Sequence, residues 1–138
     1  LEKHIFNFSA NWGRIFTIKN LLQIVSYSID EIEMPIYVEK HKDIFFDPLR
    51  EFSIGSFNSE KEAIFNIKNH RKSSRDVFEK TDILIITIGQ NEFWYDSQMD
   101  IAWGWTPPKI FRKNSNRFKI FEYSFIQNTN DLNDIIKK

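Results

Sequence analysis

The stretch that most constrains this chain is Asp82-Ile83-Leu84-Ile85-Ile86-Thr87-Ile88, closed by Gly89. Branched side chains are stiff at their first torsion and pack well on a pleated strand. The run does not alternate apolar with polar, so both of its faces need cover. A strand of that kind lies inside a sheet with helices on either side, usually among parallel neighbours. The expectation is therefore an interior, mainly parallel-paired strand in an α/β fold.

The flanking sequence supplies the helices such a sheet needs. Thr17 is a helix N-cap candidate, because its hydroxyl can accept from a backbone N–H one turn on. Ile18, Leu21, Leu22, Val25, Ile29 and Ile32 follow at helical spacing, and Pro35 marks the stop. Ser59 and Glu62 have the spacing of a capping box and open a second helix that runs to about Glu79. Its stripe includes Ala63, Ile64, Ile67, His70, Ser74 and Val77.

Between the helices, Ile36–Val38 and Ile44–Phe46 read as short extended pieces, and Asp47-Pro48 as a turn. His4 to Ala10 alternates around Ile5, Phe6 and Phe8, then turns at Asn11-Trp12-Gly13. Trp103 to Pro108 is irregular, Phe118 to Phe125 alternates, and Thr129 or Asn130 caps a last helix carrying Leu132, Ile135 and Ile136.

Bulk properties narrow the function classes. The 138 residues suffice for one domain, and 19 basic residues balance 19 acidic ones. That neutrality argues against a nucleic-acid binder or a polybasic membrane binder. With no cysteine there is neither a disulfide framework nor a thiolate metal site, which suits a reducing, cytoplasmic setting. No apolar run approaches the ~20 residues of a membrane-spanning helix. No signal-peptide pattern opens the chain, and its first residue is Leu1 rather than methionine, which points to further residues upstream. Neither cofactor nor metal is expected, and the oligomeric state is left open.

Chemistry is expected at Gly89-Gln90-Asn91-Glu92, because ligands of open parallel sheets sit beyond the carboxyl ends of the strands. Asn91 offers a neutral amide donor suited to a substrate oxygen that gains negative charge. Glu92 could orient a neighbour or bind a cation. The plainer alternative is a polar turn that uses a glycine and an asparagine because both tolerate positive φ. Trp94, Tyr95, Trp103 and Trp105 could form an aromatic platform for a sugar ring; the alternative is that they pack beneath the proline loop.

The run from Asp82 through Gly89-Gln90-Asn91-Glu92-Phe93-Trp94 resembles the third conserved block of SGNH hydrolases, a buried strand ending in Gly-x-Asn-Asp. It is more similar still to the GSCFA family, whose pattern here is Thr-Leu-Gly-x-x-Glu-x-Trp. Thr87, Gly89, Glu92 and Trp94 fit it, and Ile88 stands for the leucine. Trp12-Gly13-Arg14-Ile15-Phe16-Thr17 with Asn20-Leu21-Leu22-Gln23, Phe46-Asp47-Pro48-Leu49-Arg50 and His70-Arg71 are also family-like, so the resemblance spans roughly residues 5 to 136.

The resemblance implies a three-layer α/β/α fold, a flavodoxin-like parallel sheet of the SGNH type, represented only in part. It implies a serine esterase that takes small-molecule or glycan esters, with Gly13 and Asn91 as two donors of its oxyanion hole and Glu92 beside them. The family's Gly-Ser block and its Asp-x-x-His block are not in this sequence. Ser9 lacks the preceding glycine, and His4, His41 and His70 lack the aspartate context. His70 shares a helix face with Ile67 and Ser74, which suits packing better than catalysis. Residues 1–138 are accordingly expected to form a single partial domain, inactive alone, from an ester hydrolase acting on O-acylated glycans. The rival is a non-catalytic glycan-binding or interaction module on the same fold. A nucleotide-binding domain ranks last, since no glycine-rich loop is present.

Overall fold

The computed structural model describes residues 11–30, 35–87 and 89–138. The N-terminal alternating segment with His4 and Ser9, and also Ile32 and Ile88, lie outside the described residues.

Helix α1 (Ile18–Ile29) starts where Thr17 accepts from the Asn20 N–H at 3.2 Å. It buries Ile18, Leu21, Ile24 and Val25 between α2 and α4. The hairpin strands β1 (Glu39–His41) and β2 (Ile44–Phe46) pair antiparallel, with β3 (Ser56–Phe57) on the other side of β2. Helix α2 (Glu60–Lys80) is capped by Ser59, which accepts from the Glu62 N–H at 3.2 Å. The Glu62 carboxylate reaches back to the Asn58 N–H.

Strand β4 (Glu92–Asp96) is the centre of a second antiparallel sheet, flanked by β5 (Ile101–Ala102) and β6 (Phe118–Glu122). The short helix α3 (Lys109–Arg112) follows the proline loop. The last helix, α4 (Phe125–Lys137), begins earlier than expected. Its cap is Ser124, which forms a full capping box with Gln127, so neither Thr129 nor Asn130 opens the helix.

Two apolar clusters hold these elements. One gathers Phe46, Leu49, Ile101, Trp103 and Phe118, with Phe52, Trp105 and Phe111 against them. Phe46 sits edge-on to Trp103 and Trp105, each at 5.7 Å between ring centroids. The other joins Ile18, Leu21, Val25 and Ile135, with Ile86 packed on them.

The loop Asp47-Pro48-Leu49-Arg50 is tied down as tightly as a strand. Asp47 accepts from the Leu49 N–H and from Arg50 Nε, each at 2.9 Å, while Arg50 also donates to Asn66. Gly104 donates its N–H to Pro48 O at 2.8 Å, and a Cβ there would stand 2.2 Å from Leu49 O, so only glycine lets the two loops meet.

The chain thus mixes helices with sheet, as the α/β class requires, but the expected interior strand is not formed among the described residues. Residues 83–87 form no strand pairing among the described residues, and Ile83 and Ile85 are 79% and 84% exposed. Both named sheets are antiparallel, and the one parallel contact among the described residues is an isolated bridge between Thr17 and Gln90. The reason is physical. An apolar run records that a segment needs cover on both faces; it does not supply the neighbours that give it.

A candidate binding cleft beside the strand end

That bridge brings Gln90 and the loop it opens against the start of α1. Gln90 donates its N–H to Phe16 O at 3.1 Å. Beyond it opens a cleft of about 630 Å³, bounded by Arg14, Phe16 and Thr17, by residues 51–53, by residues 89–94 and by residues 103–106.

Each wall is positioned by specific hydrogen bonds. Thr17 and Asn20 are buried at the helix start, where Thr17 donates to Asn20 Oδ1 at 2.7 Å. The Asn20 amide donates to the carbonyls of Ala102 and Trp103. One turn on, Gln23 both donates to Ala102 O and accepts from the Ala102 N–H, each at 2.7 Å. This reciprocal clamp lets a helix side chain stand in for a neighbouring strand beside β5. Trp103 N–H donates to Trp94 O at 2.8 Å and continues the β4–β5 pairing into the aromatic loop.

At one edge of the cleft Arg14 meets Glu51 in a forked pair, with contacts of 3.1 and 2.5 Å. The carboxylate also accepts from the Arg14 backbone N–H. The Arg14 bonds hold the Glu51 carboxyl below its usual range, and the partnership raises the Arg14 guanidinium. Arg14 is well exposed, so this pair orients groups and adds little stability. No local pattern announces this pair, because it joins residues far apart in the sequence.

The expected site residues divide. Asn91, Glu92, Trp94, Trp103 and Trp105 all line this cleft. Trp103 is 2% exposed and packs on Phe46, Trp105, Phe111 and Phe118, so its main work is structural, as the packing alternative held. Trp94 and Trp105 are only half-buried, and Arg112 lies over the Trp94 ring at 5.6 Å.

Tyr95 belongs elsewhere. Successive residues of a strand point to opposite faces, and Tyr95 lines a separate cleft of about 510 Å³ with Tyr27, Tyr37 and Tyr123. Its hydroxyl bonds to Asp100, which pushes the phenol upward.

Gly13 lines a third cleft, which shares Arg14, Phe16, Thr17 and Gly89 with the first but not Asn91. Its φ of 73° and a would-be Cβ 2.7 Å from Ile54 Cδ1 give this glycine a backbone reason to exist. Gly89 and Asn91 have no such reason: neither takes positive φ, and the space around Gly89 is open. The Asn91 amide donates to Glu122 Oε1 at 3.2 Å and approaches Tyr123 O at 3.5 Å, so in this state it braces β6.

Neither described histidine lines the cleft. His41 stacks edge-on with Phe111, and His70 is buried on α2. Ser53 is the serine among the cleft residues. Among the described residues no group of three or more His, Cys, Asp or Glu could hold a metal ion, and no helix is long and apolar enough to cross a membrane.

The family model for GSCFA matches residues 1–138. The chain belongs to the GSCFA family. No curated protein and no solved structure matches it. Of the segments tied to GSCFA at the sequence level, the Trp12–Thr17 segment and the 89–94 loop meet at one cleft, and the Asp-Pro loop is held against the aromatic loop that closes it.

Proposed function

We propose that the 630 Å³ cleft is the substrate-recognition part of an ester-hydrolysing site, and that it takes the sugar ring of an O-acylated glycan. The supporting observation is the convergence on one cleft of half-buried Trp94 and Trp105 with Asn91 and Glu92. Indole faces suit the apolar side of a pyranose, and neighbouring amide and carboxylate groups suit its hydroxyls. Asn91 would turn from Glu122 to the ester oxygen as charge develops there, Gly13 would supply the second donor from the adjoining cleft, and Glu92 would orient the amide. Nucleophile and base belong to a larger unit in this reading, because the cleft has no serine–histidine pair among its described residues.

The bonds from Asn91 to Glu122 and Tyr123 favour a second reading, in which this cleft binds glycan without hydrolysis. Titration of the chain with an O-acetylated oligosaccharide and its deacetylated form, followed by tryptophan fluorescence, tests both. The hydrolytic reading expects tighter binding of the acylated form, loss of binding on Trp105→Ala, and no turnover of a chromogenic ester by this chain alone. Equal binding of the two forms supports the glycan-binding reading. Binding of neither removes both, and turnover abolished by Ser53→Ala would relocate the nucleophile to this chain.

A further inference from the structure

The charges of this chain balance at 19 basic and 19 acidic residues, yet they are unevenly placed. From Ile101 to Phe121 there is no aspartate or glutamate, while Lys109, Arg112, Lys113, Arg117 and Lys119 crowd the second half of that stretch. Helix α3 carries the first two of them, and Phe111 pins it to the core. The Phe111 ring stacks on Phe118 and meets Trp103 edge-on, each at 6.0 Å between ring centroids. The next residue, Arg112, holds its guanidinium 5.6 Å from the centre of the Trp94 ring, and Trp94 lines the 630 Å³ cleft. The other arginines are spent: Arg14 and Arg50 on Glu51 and Asp47, Arg71 and Arg75 on backbone carbonyls, and Arg117 on Asp96 and Glu39. The Arg112 side chain donates to no acceptor among the described residues. A guanidinium resting on an indole still has its five N–H donors to give.

We infer that the glycan taken by this cleft is acidic, and that Arg112 receives the carboxylate of a uronic acid residue seated at Trp94; this rests on the reading of the cleft as a glycan site. The planar fork of a guanidinium matches a carboxylate with two parallel hydrogen bonds. Lys109 and Lys113, beside Arg112 in sequence, add attraction at longer range. The acidic groups of the lining do not oppose this. Glu51 is already held by Arg14. Glu92 precedes Trp94 by two residues on the same face of β4, about 7 Å back along the strand. It is therefore placed for a hydroxyl further along the sugar chain, not for the carboxylate at Arg112. A neutral sugar at Trp94 would leave the Arg112 donors to water.

The test titrates the whole chain with O-acetylated trisaccharides of galacturonate and of glucuronate, and with the matching neutral trisaccharides of galactose and glucose, followed by tryptophan fluorescence. One uronate form should bind about tenfold tighter than its neutral counterpart, the effect of one charge-assisted hydrogen-bonded pair. That margin should shrink as salt is raised. Arg112→Gln should abolish the margin and leave the neutral affinity unchanged. Arg112 is exposed, so the variant should fold, which a melting curve checks. Equal binding of acidic and neutral forms, both lost in Trp105→Ala, overturns this inference and leaves the glycan reading standing. Binding of none of the four removes the glycan reading and this inference with it. A preference for uronate that survives Arg112→Gln places the carboxylate elsewhere and overturns the assignment. Equal weakening of both forms by Arg112→Gln overturns it too, because Arg112 would then only prop the Trp94 ring. So does tighter binding of an oligouridylate than of any of the sugars, which would give the basic strip to a phosphate backbone.

Discussion

The aromatic half of the molecule and the 83–87 stretch are built from equally apolar sequence, yet one is buried and the other is not. Phe46, Trp103 and Phe118 find ring partners on several elements, and the neighbouring chain is held by buried polar pairs. Asp47 is held by Arg50, and Asp96 accepts from Arg117, which also pairs with Glu39. Among the described residues, 83–87 pack one side chain, Ile86, into a cluster and form no strand pairing. Hydrophobicity thus creates a demand for burial, and the fold meets it only where other segments carry both apolar surface and bonds that fix their position.

The largest effect that would sharpen this contrast is expected at Trp103. Truncation to alanine removes a fully buried ring and leaves a cavity among Phe46, Phe111 and Phe118. The expected loss is about 3–5 kcal/mol, measured by urea unfolding. A loss below about 1 kcal/mol, within the ordinary range of single substitutions, would show that the aromatic cluster is not the core.

Next in size is Gln23→Ala. It removes both arms of the clamp on Ala102 and leaves a partly buried N–H and C=O without that partner. The expected cost is about 1–3 kcal/mol, with Gln23→Glu failing to restore it because a carboxylate cannot donate to Ala102 O. Full rescue by Glu would mean that the clamp is only the accepting arm.

These two residues also mark what was legible beforehand. Helix α1 with its Thr17 cap and α2 with its Ser59 cap follow from local spacing, because capping and amphipathic periodicity act within one turn. The 89–94 loop and the tryptophans were legible as candidates because they are close in sequence, and most of them line one cleft. Tyr95 lines a different cleft from Trp94 because adjacency along a strand means opposite faces. The Gln23–Ala102 clamp, the Arg14–Glu51 fork and the antiparallel pairing of β4 with β6 were not legible, since each joins residues far apart in sequence. The start of α4 was missed because an alternating pattern through Phe125 masked the capping box of Ser124 and Gln127.

A third prediction concerns slope rather than level. Burial raises the Asp47 carboxyl above its ordinary 3.8, although Arg50 and the Leu49 N–H pull it the other way. A carboxyl with a raised folded pKa binds protons more tightly in the folded state, so its contribution is fully present below 3.8 and lost as pH rises through the folded value. Glu51 acts in the opposite sense: its lowered pKa contributes stability above its ordinary 4.5 that is lost as pH falls through the folded value. Stability of Asp47→Asn, followed across the acidic range, should therefore lack the gain on acidification that Asp47 provides. Arg14→Ala should remove the loss that Glu51 provides. Parallel pH curves for wild type and Asp47→Asn would show that the buried pair does not titrate in this range.

The smallest effect is expected at Ile85, and there the comparison is most exposed to refutation. Ile85 belongs to the most apolar run of the chain, and by sequence its replacement with serine should cost as much as any core truncation. In the structure its side chain is 84% exposed and has few atoms to lose contact with. The expected change in unfolding free energy is within about 0.5 kcal/mol, the usual range for surface positions. Ile67→Ser, in the buried stripe of α2, serves as the internal standard and should cost several times more. Serine at 85 should also reduce self-association at high concentration, because it removes an exposed apolar side chain. If Ile85→Ser instead costs as much as Ile67→Ser, residue 85 is covered in solution, and the contrast between a satisfied aromatic half and an unsatisfied stretch does not hold.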